Sequence, residues 1–204
     1  MTWGEDGADV PGECTGVSIA RRKVQLPAVQ TYPGALLGMM AIRYPEQSEV
    51  VVNAGYAGES VLGMNTMPRF ITVLDNHPAD VVLLMEGAND LSNPDLSAVA
   101  AGLGGMIDYA KSHGWRVLLA TIPPENPNGT CPTDRGTSAD AVIAFNVLVR
   151  QLAVQESVAL VDVERAFNGD LSLIGPDGLH PNAAGYRAIA GAFLAGIEQT
   201  VERH

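Results

Sequence analysis

Short apolar runs and longer amphipathic stretches alternate along this chain. Four runs rich in β-branched residues or leucine predict buried parallel strands, at residues 49–54, 80–85, 116–121 and 158–163. Helical patterns precede and separate these runs, at residues 34–44, 61–76, 95–113 and 138–156, and a final helix follows Pro181-Asn182. This order predicts a three-layer α/β/α, flavodoxin-like fold with a parallel sheet and right-handed crossovers.

The segments that follow the predicted strands form the candidate site, because ligands of such folds bind beyond the carboxyl ends of the strands. Residues 55–60 follow the first run, residues 87–90 follow the second, and a loop over residues 123–137 follows the third. This loop and the irregular region at residues 4–33 could both cover the site.

Size and charge restrict the classes of protein that fit. The 204 residues, 47% of them hydrophobic, suit a single domain with a substantial core. A net charge of −11 opposes binding to nucleic acid or to an anionic membrane. No run of about 18 apolar residues predicts a membrane span. Residues 1–7 lack the features of a signal peptide, but a secreted or periplasmic location stays open if a leader precedes them.

Two cysteines, Cys14 and Cys131, lie in Gly/Pro-rich loops expected at the same edge of the sheet. They could form one disulfide if the loops meet and the compartment is oxidising. Their spacing does not resemble a zinc site, since such a site needs four ligands and the four histidines are scattered. We therefore predict no metal.

The most informative chemistry lies in the segment at residues 177–181, Asp-Gly-Leu-His-Pro. An acid three residues before a histidine, on a Gly-containing turn, can fold back so that its carboxylate orients the imidazole for base catalysis. Taken alone, His180 also fits a surface or capping residue, and Asp177 fits a residue that stabilises a turn.

Two further segments carry groups that could polarise a carbonyl. Asn89 offers a side-chain amide and Gly58 an exposed backbone amide, beyond the ends of two predicted strands. The alternative is structural, because Asn89 and Asp90 could close a strand and Gly58 could serve a backbone of positive φ.

In order and spacing, three segments resemble the second, third and fifth sequence blocks of the SGNH (GDSL-type) hydrolases. They are Asn53-Ala54-Gly55-Tyr56-Ala57-Gly58-Glu59-Ser60, Gly87-Ala88-Asn89-Asp90 and Asp177-Gly178-Leu179-His180-Pro181. The resemblance covers nearly the whole chain and implies esterase activity without a cofactor. It implies that His180 is the base and Asp177 its orienting acid, with Gly58 and Asn89 lining an oxyanion hole.

The first block of that family carries the nucleophilic serine as Gly-Asp-Ser, and here only its tail is matched, by Met1-Thr2-Trp3-Gly4. The resemblance therefore implies that the serine and its strand fall upstream of Met1. In the family, that strand lies between the strands predicted here at residues 49–54 and 80–85. The nucleophile is unknown within the chain.

A missing central strand would leave two rows of backbone groups facing a gap. Each buried unsatisfied group costs about 1–3 kcal/mol, and a native domain has only about 5–15 kcal/mol to lose. We expect an N-terminally incomplete single domain that folds poorly alone. A longer protein, a separate segment or a partner chain could supply the strand, or the sheet could rearrange.

Two functions remain open from the sequence. The first is a serine esterase or acyl hydrolase of small or acetylated esters whose complete form carries the missing serine. The second is a catalytically inactive binding or scaffold protein that keeps the pocket. Three serines could substitute for the nucleophile, although none lies on a predicted strand-to-helix elbow: Ser18, Ser60 and Ser92.

Overall fold

The structure, a computed structural model, describes residues 5–9, 23–130 and 138–202. Its strands are β1 (Glu5–Asp9), β2 (Lys23–Gln25), β3 (Val81–Leu84), β4 (Arg116–Ala120) and β5 (Ala159–Val161). Its α-helices are α1 (Tyr32–Arg43), α2 (Thr66–Asn76), α3 (Leu96–Ser112), α4 (Ala139–Gln155), α5 (Val163–Phe167) and α6 (Ala183–Val201). Short 3₁₀ helices span Ala28–Gln30, Ala88–Asp90 and Leu171–Leu173.

The central sheet is parallel and has the strand order β3-β4-β5. Val81 pairs with Arg116 at the start of β3, and Leu118 pairs with Ala159 at the start of β5. The strands β1 and β2 form a separate antiparallel pair. Among the described residues, no strand pairs with the edge of β3 that faces away from β4.

Helices cover both faces of the sheet and complete a three-layer α/β/α fold. On one face α6 contacts β4 and β5 and packs against α1 and α5, while α3 and α4 contact β4 from the other layer. The layers meet closely, because a Cβ atom at Gly196 of α6 would lie 2.8 Å from side-chain atoms of both Leu118 and Val161. Phe145 of α4 and Phe193 of α6 are fully buried in this core.

Most of the predicted elements are present. The helices α3 and α4 lie within one residue of the predicted bounds at each end, and α6 begins after Pro181-Asn182 as expected. Its start is fixed by the side chain of Asn182, whose Oδ1 accepts hydrogen bonds from the amides of Ala184 and Gly185. Helix α5 and the pair β1-β2 were not predicted.

Two sequence predictions need correction. The predicted strand at residues 49–54 is wrong, because this segment has no regular structure and bonds to no strand in the described part of the chain. The helix predicted over residues 61–76 begins only at Thr66. Its first residues turn away because the amides of Val61 and Leu62 donate to the carboxylate of Asp90 instead.

No helix in the described part of the chain has the length and apolar character needed to cross a bilayer.

Candidate active site

The turn that carries Asp177 and His180 follows β5 and α5 and is closed by backbone bonds. Ile174 and Pro181 form an isolated antiparallel bridge, and the amide of Gly175 donates to the carbonyl of His180 over 2.7 Å. Gly178 has a φ of +75°, a conformation that glycine adopts without strain. The chain therefore doubles back within a few residues and brings the two candidate side chains together.

Asp177 is fully buried, and its carboxylate makes three contacts within this turn. Oδ1 accepts hydrogen bonds of 2.9 Å from the amides of Leu179 and His180. Oδ2 lies 2.6 Å from Nδ1 of His180. The expected hydrogen bond between the acid and the imidazole is thus present.

The electrostatics of the turn favour an ionised Asp177. Burial opposes the charge, but the hydrogen bond and the charge of the His180 ring, together with the two backbone amides, hold the pKa of Asp177 below its ordinary value. An ionised Asp177 keeps the proton of the neutral imidazole on Nδ1. Nε2 is then the ring nitrogen that can take up a proton, and the His180 side chain is 19% exposed.

The loop after β4 packs against this turn. The amide of Asn126 donates to the carbonyl of Gly178 over 2.7 Å, and a Cβ atom at Gly129 would lie 2.6 Å from the amide nitrogen of Gly178. The loop itself is anchored by the fully buried Asn146, whose side-chain amide bonds to both the N–H and the carbonyl of Ile122 at 2.9 Å. The acid–histidine turn therefore packs against a loop that is itself held by hydrogen bonds.

The structure also brings Gly58 and Asn89 into one cluster. Nδ2 of Asn89 donates to the carbonyl of Glu59 over 2.8 Å, and Glu59 directly follows Gly58. Gly58 is exposed with a φ of +75°, and a Cβ atom there would meet nothing within 4 Å. An exposed amide beside an exposed carboxamide suits the binding of an oxyanion. That this cluster faces His180 stays a prediction.

Asp90 connects the two segments of this cluster and is more than a turn residue. It is 3% exposed, and its carboxylate accepts from the hydroxyl of Ser60 and from the amide of Val61, the latter over 2.9 Å. The hydroxyl of Ser60 is thus held by Asp90. Ser92 is exposed, and Ser18 lies outside the described residues.

Sequence reasoning missed the ion pair between Glu59 and Arg69, in which two guanidinium nitrogens donate to the two carboxylate oxygens. Ten residues separate this acid and base, and they lie in different local structures. The available signal in the sequence was that Glu59, an acidic residue, directly follows Gly58, with a basic residue ten positions further along the chain.

Neither cysteine lies in the described part of the chain, so the predicted disulfide between Cys14 and Cys131 stays a prediction. Over the residues that the structure does describe, no three His, Cys, Asp or Glu side chains are grouped so that they could hold a metal ion.

A cavity of about 420 Å³ lies beside the acid–histidine turn. Over the part of the chain that the structure describes, its wall combines amide and hydroxyl residues with a few apolar ones and includes no ionisable side chain: Asn126, Asn128, Gly129, Thr130, Leu171, Ser172, Ile174, Gly175, Pro176 and Asn182. Such a wall suits a neutral ligand with hydroxyl groups.

The fold and the site together define a three-layer α/β protein with an acid–histidine pair beyond its last strand. The model of the GDSL-like lipase/acylhydrolase family matches residues 15–188. The chain belongs to this family.

Known relatives of the chain are esterases. It is 28% identical over 131 residues to a multidomain esterase of Ruminococcus flavefaciens, a match that covers 61% of this chain and 16% of that protein. It is 26% identical over 182 residues to an acetylxylan esterase of Geobacillus stearothermophilus, covering 81% of this chain and 80% of that one. The chain thus matches about one sixth of the length of the multidomain relative.

Solved structures share the fold. A catalytic mutant of an acetylxylan esterase from Geobacillus stearothermophilus superimposes with a TM-score of 0.68 at 26% identity, over 82% of this chain and 80% of that one. This similarity confirms the predicted α/β/α fold of SGNH hydrolases.

Proposed function

We propose that the protein hydrolyses esters of small acyl groups. The observation that carries the proposal is the 2.6 Å contact between a fully buried Asp177 carboxylate and Nδ1 of His180. This arrangement makes Nε2 of His180 a general base, as in hydrolases that activate a serine. Family membership and the esterases among the relatives support the same reaction.

The reaction follows from the roles of these groups. A serine hydroxyl attacks the ester carbonyl while His180 takes the hydroxyl proton, and the negative charge moves to the carbonyl oxygen. The Gly58 amide and the Asn89 side chain donate to that oxygen. The carbon–oxygen bond to the alcohol then breaks, and His180 returns the proton to the leaving alkoxide. A water molecule, deprotonated by His180, hydrolyses the acyl-enzyme and regenerates the serine.

The nucleophilic serine is not identified among the described residues. Ser60 donates its hydroxyl to Asp90, and Ser92 is an exposed residue in the turn that follows Asp90. We propose that a strand from outside the described residues pairs with the open edge of β3 and ends in Gly-Asp-Ser. The form of the protein that carries this strand is called the strand-complete protein below.

The open edge has the properties that such a strand requires. β3 pairs on one side only within the described chain, and the β-branched segment at residues 49–54 lies without regular structure. Val50 is 80% exposed and Val52 49% exposed, so apolar side-chain surface is available here for an added strand to cover. A strand placed between β3 and this segment would satisfy backbone groups on both sides.

Acetylated carbohydrates are the substrates we propose. Two observations support this class: a relative matched over most of both chains is an acetylxylan esterase, and the cavity beside the turn is walled by neutral amides and hydroxyls. Side-chain amides and hydroxyls can both donate hydrogen bonds to sugar hydroxyl groups and accept hydrogen bonds from them.

The test is a substrate panel on the strand-complete protein, with nitrophenyl acetate, longer nitrophenyl esters and acetylated xylooligosaccharides. We expect release of acetate from the sugars and loss of all turnover in His180→Ala. The control His77→Ala replaces an exposed histidine at the end of α2. Full activity in His180→Ala would refute the proposed mechanism.

A second candidate is a binding protein without catalysis, favoured by the hydrogen bond that holds the Ser60 hydroxyl to Asp90. It predicts that acetylated oligosaccharides bind, measured by calorimetry, and are recovered unchanged. An in-frame Gly-Asp-Ser sequence upstream of the Met1 codon favours the esterase, whereas a stop codon there favours the binding protein.

A further inference from the structure

The segment of residues 54–60, called the oxyanion turn below, presents the amide of Gly58. Within the turn, the amide of Glu59 donates to the carbonyl of Tyr56 over 3.3 Å. Gly58 itself is exposed and has the conformational freedom of glycine. An oxyanion donor works only when it is held in place before the charge develops, so this turn needs support from outside.

One side chain, Arg69, reaches both ends of the oxyanion turn. Its Nε lies 2.6 Å from Oε1 of Glu59, and Nη2 donates to Oε2 of the same carboxylate. Its Nη1 donates to the carbonyl of Ala54 over 2.8 Å. The guanidinium also lies over the ring of Tyr56, 5.6 Å from the ring centroid. Gly58 lies between these three points of attachment.

Arg69 is itself fixed, because it lies in the first turn of α2. Its amide donates to the carbonyl of Asn65 over 2.9 Å. Thr66, the first residue of α2, is buried and donates its hydroxyl to the carbonyl of Ser60, the last residue of the turn, over 2.6 Å. The helix and the oxyanion turn are therefore connected at two places.

We infer that Arg69 is a positioning residue for the oxyanion turn, holding the Gly58 amide in the orientation that the reaction requires; the inference rests on the proposed function. The planar guanidinium is suited to this task because it can bind both carboxylate oxygens and a carbonyl simultaneously. A lysine ammonium preserves the charge but not this fork. Asn89 completes the support through its bond to the Glu59 carbonyl.

This role predicts an effect on rate rather than on affinity. Arg69 contacts the turn and not the substrate in the proposed mechanism, so its loss should lower kcat and leave KM nearly unchanged. We expect a fall of kcat of about 10–100-fold for Arg69→Ala, less than the loss of a whole donor. Arg69→Lys should fall between wild type and Arg69→Ala.

The chain offers a matched control in Arg150 of α4. Its guanidinium binds both oxygens of Asp162 and one oxygen of Glu164, and its side chain is 34% exposed against 30% for Arg69. These guanidinium bonds go to residues outside the oxyanion turn. Arg150→Ala should therefore remove a comparable ion pair without lowering kcat.

A second variant distinguishes the loss of positioning from a general loss of stability. Arg69→Ala leaves the Glu59 carboxylate, whose side chain is 7% exposed, without its partner. The double variant Arg69→Ala/Glu59→Gln removes that buried charge and still loses the attachment to Ala54.

The experiment measures kcat, KM and the backbone ¹⁵N order parameter of Gly58 in the strand-complete protein and its variants. We expect the order parameter to fall from the rigid range, about 0.85, toward the flexible range in both Arg69→Ala and the double variant, together with kcat. An unchanged order parameter, or a loss of kcat no larger than in Arg150→Ala, would overturn the inference. If wild type hydrolyses no ester but the turn still loosens, the proposed function fails while the positioning role stands.

Discussion

The polar groups of the acid–histidine turn have hydrogen-bond partners, whereas the backbone groups at the open edge of β3 have no strand partner in the described chain. Asp177 is fully buried and receives three hydrogen bonds within its own turn. In the segment at residues 49–54, which we propose to lie across the open edge, Val50 is 80% exposed and no strand pairs with the segment in the described chain. A turn is specified by a few neighbouring residues, whereas a parallel strand depends on distant partners for its hydrogen bonds.

This difference between a satisfied turn and an unpaired strand edge separates the groups that the described residues supply to the proposed mechanism from the group that they lack. In the proposed mechanism the acid and the base come from a turn closed by its own hydrogen bonds, and the two oxyanion donors come from segments held by Asp90 and Arg69. The proposed nucleophile belongs to the edge where bonds are open. Substitutions in the two regions should therefore have different effects. The activities expected for them are those of the strand-complete protein.

Asp177→Asn gives the largest expected effect. The amide would donate toward Nδ1 and favour the wrong tautomer of His180, so kcat should fall about 10⁴-fold. Steady-state kinetics and a thermal melt measure this. Asp170→Asn is the control, because Asp170 also accepts bonds in an Asp turn, from Ser172, but far from the histidine in sequence. Equal kinetics in the two variants would remove Asp177 from the mechanism.

Asn89→Ala removes one of the two proposed oxyanion donors. We expect kcat to fall about 10²–10³-fold. The bond to the Glu59 carbonyl is lost as well, which loosens the oxyanion turn. Asn93→Ala, which alters an amide in the following turn, should retain nearly full activity. A wild-type kcat in Asn89→Ala would show that this side chain does not face the reacting carbonyl.

Val50→Asp tests the open edge directly. In the strand-complete protein Val50 should be buried, and the substitution should lower the free energy of unfolding by about 2 kcal/mol or more. In the 204-residue chain the same change should have little effect, because the side chain is exposed there. Val29→Asp, at a position 73% exposed, serves as the control in both forms. Equal losses in both forms would argue against an added strand.

Glu86 lies just beyond β3 and gives a pH-dependent effect. Burial, with the nearby negative charges of Glu59 and Asp90, raises the pKa of Glu86 to about 7 against the opposing charge of Arg69. Between its ordinary value and pH 7 the folded protein keeps a proton that the unfolded chain has lost, so stability falls as the pH rises through this window. Glu86→Gln should reduce that fall, by on the order of 1 kcal/mol.

Thermal melts from pH 4 to 8 on the 204-residue chain and on the strand-complete protein check the Glu86 prediction, with the exposed Glu46→Gln as the control. An unchanged slope in Glu86→Gln would contradict the assignment.

Asn128→Ala gives the smallest expected effect. Asn128 is an exposed residue at the wall of the cavity. We expect KM for acetylated xylooligosaccharides to rise about threefold to tenfold, the loss of one hydrogen bond, with KM for nitrophenyl acetate unchanged. A parallel rise for both substrates would show that the cavity does not bind the sugar.

Local patterns predicted the parts of the fold that depend on near neighbours. The ends of α3 and α4 and the pairing of Asp177 with His180 follow from amphipathic spacing and a three-residue turn. The strand at residues 49–54 was wrong because the apolar pattern says nothing about whether a partner is present. Arg69 was missed because its contacts with the oxyanion turn exist only after α2 has folded against that segment.

The most direct test of the central claim is the rate of nitrophenyl acetate hydrolysis by two purified proteins, the 204-residue chain and the same chain extended by a strand that ends in Gly-Asp-Ser. We predict no measurable hydrolysis by the first and turnover by the second, with a higher melting temperature. Turnover should disappear when only the added serine is replaced by alanine. Robust hydrolysis by the 204-residue chain alone would contradict the account and place the nucleophile within it.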